Sequence, residues 1–218
     1  MCGCESTLVV SVREPDAIDR AADILRNGGL VAFPTDTVYG LGAHSGIAGA
    51  IERVYLVKGR MQQKAIPLLI GRTEDIEAVA EDVPGDAWLL AERFWPGGLT
   101  IVLRRKSTVL SVVTGGGATV AVRVPAHPVP LELIRALDAP IAGTSANRSG
   151  ERSPTTADGV LGSLGGLIEM VIDGGPTPGG IESTVVDLAC GEPVIRRLGA
   201  VPIEEIERVL GRPLRGRQ

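Results

Sequence analysis

Short, β-branched apolar runs alternate irregularly with amphipathic stretches along this chain, and that pattern constrains the fold more than any other feature. Between Pro15 and Asn27, apolar residues fall at Ile18, Ala21, Ala22 and Leu25, the i, i+3, i+4, i+7 spacing of a helix with one buried face. Asn27-Gly28-Gly29 ends it with residues that tolerate positive φ. Residues 30–33 then predict a buried strand, closed by Pro34. Further helices are predicted over residues 48–57, 74–79, 86–94, 129–137 and 203–210. Further strands are predicted at 68–70, 99–103, 119–124, 141–142, 170–172, 184–188 and 194–197. This order is too irregular for a strict βαβ series. The expectation is an α/β fold, a single domain over residues 9–210 with a twisted mixed sheet and flanking helices. The basic tail, 211–218, is expected to be unstructured.

A length of 218 residues suits one sizeable core, and 44% apolar with only 3% aromatic residues makes that core aliphatic. A net charge of −4 argues against a surface that binds nucleic acid everywhere, so any anion site must be local. Cys2, Cys4 and Cys190 form no disulfide framework and read as reduced thiols. No second Cys/His pair completes a four-ligand set with Cys2 and Cys4, so no metal site is expected. No signal-peptide pattern opens the chain and no apolar run nears the roughly 20 residues of a membrane span. A cytoplasmic protein with no membrane contact is expected.

Chemistry-bearing residues cluster where loops should meet strand ends. Thr35, Asp36, Thr37 and Tyr39, with Gly40 and Gly42, follow the first buried strand. They could hold a small polar ligand or only satisfy their own turn. Lys58, Arg60 and Lys64 follow a helix end, where cations complement the helix dipole but could also clamp a polyphosphate. Arg123 interrupts an apolar strand, and burying it requires an anionic partner, either a ligand or an internal carboxylate. The functional reading is favoured there. The run from Gly143 through Thr144, Ser145 and Asn147 to Ser153 is either a long turn or a set of donors for phosphate oxygens. Glu182, Ser183 and Arg197 make a last group. Phosphate-loop, dinucleotide and zinc-protease motifs are absent, and His127, flanked by Ala126 and Pro128, reads as structural. A site rich in Arg, Lys, Ser and Thr but poor in acid–base groups suits phosphoryl or nucleotidyl transfer.

In chain order, PTDTVYGLGA from Pro34, KGR from Lys58, FWPGGLTIVL from Phe94, TVAVRVPAHP from Thr119, GTSANRSG from Gly143, IESTVVD from Ile181 and VIRRLG from Val194 resemble the YrdC/Sua5 family of threonylcarbamoyl-adenylate synthases. The resemblance runs over residues 9–210 and looks like the shorter, single-domain branch. It implies a concave basic surface and formation of threonylcarbamoyl-AMP and pyrophosphate from L-threonine, bicarbonate or CO2, and ATP with Mg²⁺. It also implies that a threonylcarbamoyl-transferase complex takes up the product, for the N6-threonylcarbamoyladenosine modification of tRNA. By position, Lys58, Arg60, Ser145 and Asn147 would carry catalysis and border the nucleotide, joined at ATP by Lys64, Thr119, Ser153 and Arg197. Thr35, Thr37, Tyr39, Arg123, the Gly143 backbone and Ser183 would surround threonine. Met61 replaces a proline frequent in relatives, and by direct count Leu69 stands where many have a threonine-contacting histidine. Glycine-rich residues 115–117 and 174–180 are candidate covers for labile intermediates. A module that binds double-stranded RNA or tRNA without catalysis is the main alternative. A carbamoyl-transfer enzyme is a second, although the additional domains of such proteins have no room here.

Overall fold

The computed structural model describes residues 6–214, so Cys2, Cys4 and the tail from 215 onward lie outside the described residues. The first half of the chain forms β1 (Leu8–Ser11), α1 (Ala17–Arg26), β2 (Val31–Phe33), β3 (Gly40–His44), α2 (Ala48–Lys58), β4 (Leu68–Leu69), α3 (Ile76–Val79), β5 (Ala80–Glu81) and α4 (Gly85–Phe94). The second half forms β6 (Leu99–Arg105), β7 (Thr119–Arg123), α5 (Pro128–Leu137), β8 (Ile141–Ser145), α6 (Ala157–Leu164), β9 (Met170–Asp173), β10 (Thr184–Asp187), β11 (Val194–Arg197) and α7 (Ile203–Leu210). All eleven strands of the described residues join one mixed sheet, in the order β1-β9-β2-β3-β8-β4-β7-β6-β10-β11, with β5 beside β6.

Strand alternation divides the core in two. Ala32, Leu68, Ala142 and Val171 enter one apolar cluster, packed with residues of α2, α4, α6 and α7. Their neighbours Val31, Phe33, Leu69, Ile141, Met170 and Ile172 enter the other, with α1 and α5. This second cluster takes no residue from β6, β7, β10 or β11. Helices α1 and α5 therefore cover only one half of that sheet face. Over the other half, Thr100, Val102, Thr119, Ala121, Val185 and Asp187 line an open cavity instead.

Several elements escape sequence patterning. Residues 40–42, expected as ligand-facing loop, belong to β3, and glycine serves packing there. A Cβ on Gly42 would lie 2.6 Å from Cε1 of Phe33 and 2.7 Å from Cγ2 of Ile141, so the ring lies directly on the bare backbone. Residues 143–145 are likewise strand rather than loop, paired with β3 through Gly42↔Gly143 and Gly40↔Ser145. Helix α6 is capped by the Thr156 hydroxyl, which accepts from Gly159 N at 3.2 Å, and its glycines obscure the pattern. The first tail residues are docked, contrary to expectation: Arg212 pairs with Asp86, and Leu214 packs on the core and donates its N–H to Glu207 at 2.8 Å.

Candidate functional site

The cavity on the uncovered sheet half has a volume of about 640 Å³, within the usual range for small-molecule sites. Five basic side chains line it (Lys58, Arg60, Lys64, Arg196 and Arg197) against the carboxylates of Glu151, Glu182 and Asp187. The acidic chain thus carries a locally basic concavity. Ten of the residues expected at the site meet here: the cations Lys58, Arg60, Lys64 and Arg197, with Thr37, Thr119, Gly143, Ser145, Asn147 and Ser183. Thr35, Tyr39, Arg123 and Ser153 do not line it.

Lys58 ends α2 with its side chain only 2% exposed. Its ammonium donates to the carbonyl of Ser145, to the carbonyl of Asn147 at 2.5 Å and to Asn147 Oδ1 at 3.4 Å. The lysine therefore clamps the 145–147 backbone from behind. Burial, and then the nearby Arg60 cation, pull its pKa down to about 8 from 10.5, against the attraction of Glu182 and Glu151. Gly59, in the left-handed conformation at φ 57°, turns the chain so that Arg60 faces the cavity. Arg60 is held by the carbonyls of Lys64 (3.2 Å) and Ala65 (2.9 Å). The Asn147 amide donates to the Arg148 and Glu151 carbonyls and shapes the same loop.

Across the cavity, Arg197 pairs with Glu182 and donates to Ser183 through Nε to the carbonyl (3.0 Å) and Nη2 to Oγ (3.0 Å). Ser183 Oγ also lies 2.8 Å from Thr100 Oγ1. Ser153 reaches the site through Glu182, donating to Oε1 at 2.7 Å. Burial pushes the Glu182 carboxyl up, but Ser153, Arg197, Ser145 and Lys58 together outweigh it and hold it below the usual carboxylate range. Sequence reasoning placed Glu182 in this region without a role. The signal was an acid within an otherwise basic and hydroxylic set.

The sequence argument for Arg123 needs correction. Its guanidinium is buried, but Asp36 supplies the anion: Nη2 donates to Oδ1 at 2.6 Å, Nη1 to Thr37 Oγ1 at 3.1 Å and Nε to the Gly97 carbonyl at 2.8 Å. Burial alone therefore requires no ligand, and Arg123 reaches the cavity through Thr37. Thr35 is a turn residue, with its hydroxyl donating to the Val38 carbonyl at 2.7 Å and lying 2.9 Å from Thr37 Oγ1. The Tyr39 hydroxyl is turned to the 173–175 segment, donating to the Gly175 carbonyl at 2.8 Å. The Gly143 N–H is committed to the Pro67 carbonyl at 2.8 Å.

Leu69 is buried in the α1/α5 cluster and does not line the cavity, whereas Pro67 does. Met61 is 60% exposed. The proposed covers are tied down: Gly180 N donates to the Thr37 carbonyl at 2.7 Å, and Gly115 packs against the backbone of residues 62–63. His127 caps α5, its Nδ1 accepting from Val129 N at 3.2 Å, the structural role expected of it. Among the described residues, no group of three His, Cys, Asp or Glu side chains could hold a metal ion, and no helix is long and apolar enough to cross a membrane.

Fold and site together define an α/β protein with a locally basic, hydroxyl-rich cavity of small-molecule size. The family model Sua5/YciO/YrdC, described as telomere recombination, matches residues 23–199, and the chain belongs to that family. It is 48% identical over 208 residues to a threonylcarbamoyl-AMP synthase of Pyrococcus abyssi, covering 94% of this chain and 61% of the relative. It is 36% identical over 191 residues to a putative threonylcarbamoyl-AMP synthase of Mycobacterium tuberculosis, covering 88% of each. The fold superposes on the crystal structure of P. abyssi Sua5 complexed with L-threonine with a TM-score of 0.92 at 47% identity, covering 96% of this chain and 62% of that one. The chain thus spans about three-fifths of the length of the P. abyssi relative.

Proposed function

We propose that this chain is a threonylcarbamoyl-AMP synthase, joining L-threonine, bicarbonate or CO2, and the AMP part of ATP, for modification of tRNA. The observation that carries this reading is that one cavity of about 640 Å³ gathers four basic residues and six polar or glycine positions expected at the site from the family resemblance. The threonine bound to the P. abyssi relative, in a structure that covers nearly all of this chain, supports the choice of amino acid.

In this reading threonine lies near Thr37, Ser183 and Gly143, and the ATP phosphates lie between Arg60, Lys64 and Arg197. The amine adds to CO2 and loses a proton, giving a carbamate anion. A carbamate oxygen forms a bond to the α-phosphorus while the bond from that phosphorus to pyrophosphate breaks. The obstacle is an anion approaching a polyanion, and fixed cations and donors reduce it without reorganising. Lys58 contributes its charge and the shape of the 145–147 segment. Mg²⁺ would arrive with ATP, held by phosphate and water. The carboxylates of the cavity are engaged already: Glu151 with Ser163, Glu182 with Arg197 and Ser153, and Asp187 with Arg196. No residue is assigned to the metal.

Pyrophosphate release from ATP, measured with L-threonine and bicarbonate omitted in turn, tests this. Release that needs both, with the adenylate detected by mass, is expected. Release with neither, or none in any combination, would refute it and favour RNA binding, recognised by affinity that falls steeply with salt. Delivery of the product to a downstream threonylcarbamoyl-transferase complex follows from the same reading.

A further inference from the structure

Among the charged groups of the cavity with no part in the reaction as written, Glu182 is the one bonded to residues assigned to the nucleotide. Glu182 places a carboxylate where a polyanion should bind, and at face value it repels the ligand. Its partners suggest why it is there. Its oxygens accept from Ser153 Oγ and from Arg197, and the Ser145 hydroxyl and the Lys58 ammonium add attraction. Every one of those groups is a residue assigned above to the nucleotide. Two carboxylate oxygens held by a hydroxyl and a guanidinium, with a second cation nearby, reproduce the environment of a phosphate group.

We propose that Glu182 is a displaceable internal anion that occupies the polyphosphate site of the empty protein and thereby sets how tightly polyphosphates bind and how readily they leave. This rests on the nucleotide reading and deepens it. The surroundings allow displacement without unfolding. The Glu182 backbone is fixed, its carbonyl accepting from Ala200 N at 2.9 Å, while its side chain remains one-third exposed. A rotamer change alone would carry the carboxylate toward solvent. Arg197 would stay in position, since Nε and Nη2 remain bonded to Ser183, and would present Nη1 to the incoming phosphate. The cations are thus never left without a counter-charge, and departing pyrophosphate meets a competitor for its own donors.

The contrary account is that Glu182 merely orients Arg197 for the ligand, and the two accounts predict opposite signs. Glu182→Gln keeps the shape and removes the charge. If the carboxylate fills the site about nine-tenths of the time, its neutralisation tightens pyrophosphate and ATP binding about tenfold, because apparent affinity scales with the competent fraction. Glu182→Asp keeps the charge but withdraws it by one methylene, and should give a gain between wild type and Glu182→Gln. Calorimetric titration of pyrophosphate alone, then of ATP, into the three proteins reads this, with thermal melts to show that each is folded. Wild-type binding of pyrophosphate with equal or weaker binding in both variants would overturn the proposal. Tighter pyrophosphate binding in Glu182→Gln with no binding of ATP by any of the proteins would uphold it and sink the nucleotide reading instead. Failure of all three to bind pyrophosphate would overturn the site itself.

Discussion

The pH dependence of ATP affinity isolates Lys58, and its size follows from the geometry. Burial and the Arg60 cation bring the ammonium to about 8 from 10.5, so it is protonated in the empty protein below pH 8 and loses its proton above it. A bound triphosphate favours the charged form and moves the pKa back up. Below pH 8 the lysine is charged with or without ligand, and affinity is flat. As pH rises through 8, the complex must take up a proton that the free protein has lost, so affinity falls, by at most tenfold per pH unit. If ATP restores the ordinary value, the window closes near 10.5 after about 2.5 pH units, a loss of roughly 300-fold or about 3 kcal/mol. Restoration of a single unit gives tenfold between pH 8 and 9. Stability of the empty protein moves the other way. The unfolded chain, with the lysine near 10.5, binds more protons than the fold between pH 8 and 10.5, so the folded state gains up to about 3 kcal/mol across that window. ATP titrations at pH 7, 8, 9 and 9.5, beside Lys58→Met, give the readout. Tyr39 and Tyr55 are raised by burial above the ordinary tyrosine value and stay out of most of this range. A flat wild-type profile, or the same decline in Lys58→Met, would refute the assignment.

Three other outcomes are expected. Arg60→Ala should lower adenylate formation by about 10²–10³ while the melting temperature barely changes, because its protein partners are only two loop carbonyls; wild-type turnover would remove Arg60 from the site. Asp36→Ala strands the Arg123 cation at 8% side-chain exposure and should cost about 3–5 kcal/mol in chemical unfolding. The Arg123 guanidinium that bonds the Thr37 hydroxyl loses its charge partner there, so the KM for L-threonine should rise in whatever protein remains folded. Gly199→Ala puts a Cβ 2.2 Å from the Glu182 carbonyl oxygen and 2.5 Å from the Ser183 carbonyl carbon, so the two backbones must separate. A melting temperature and pyrophosphate affinity both equal to wild type would show that this close approach is not required.

The parts of the fold legible beforehand were those where one period dominates. Helix α1 shows its buried face at Ala21, Ala22 and Leu25, and β2 is apolar throughout because both sheet faces are covered there. Strand β3 was missed because Gly-Leu-Gly-Ala carries almost no side-chain pattern; its glycines record what lies on the strand, the Phe33 ring, rather than what the strand does. Among the described residues, edge strand β1 pairs with β9 alone, a register no local pattern contains. At the site, the residue types singled out ten positions that the structure gathers around one cavity, but internal satisfaction was invisible. Nothing near Arg123 in sequence announces Asp36, 87 positions away, nor do the residues beside Lys58 announce carbonyls 87 and 89 positions away.

Those long-range partners divide the cations by task. An ammonium has three donors, and Lys58 directs all its bonds at the 145–147 segment, so in the proposed reading it acts on a ligand through charge and through the shape of that segment. Arg123 is likewise bound on three sides by protein and acts through Thr37. Arg60, Lys64 and Arg197 face the cavity and remain able to re-aim donors. Preorganisation requires both kinds. Buried cations without slack fix the hydroxyls and carbonyls that define the site, and rim cations with spare donors meet charge that changes during reaction. In the proposed reading the acidic chain holds a polyanion because the field a ligand meets is set within a Debye length of about 8–10 Å by these few groups rather than by the net charge of −4.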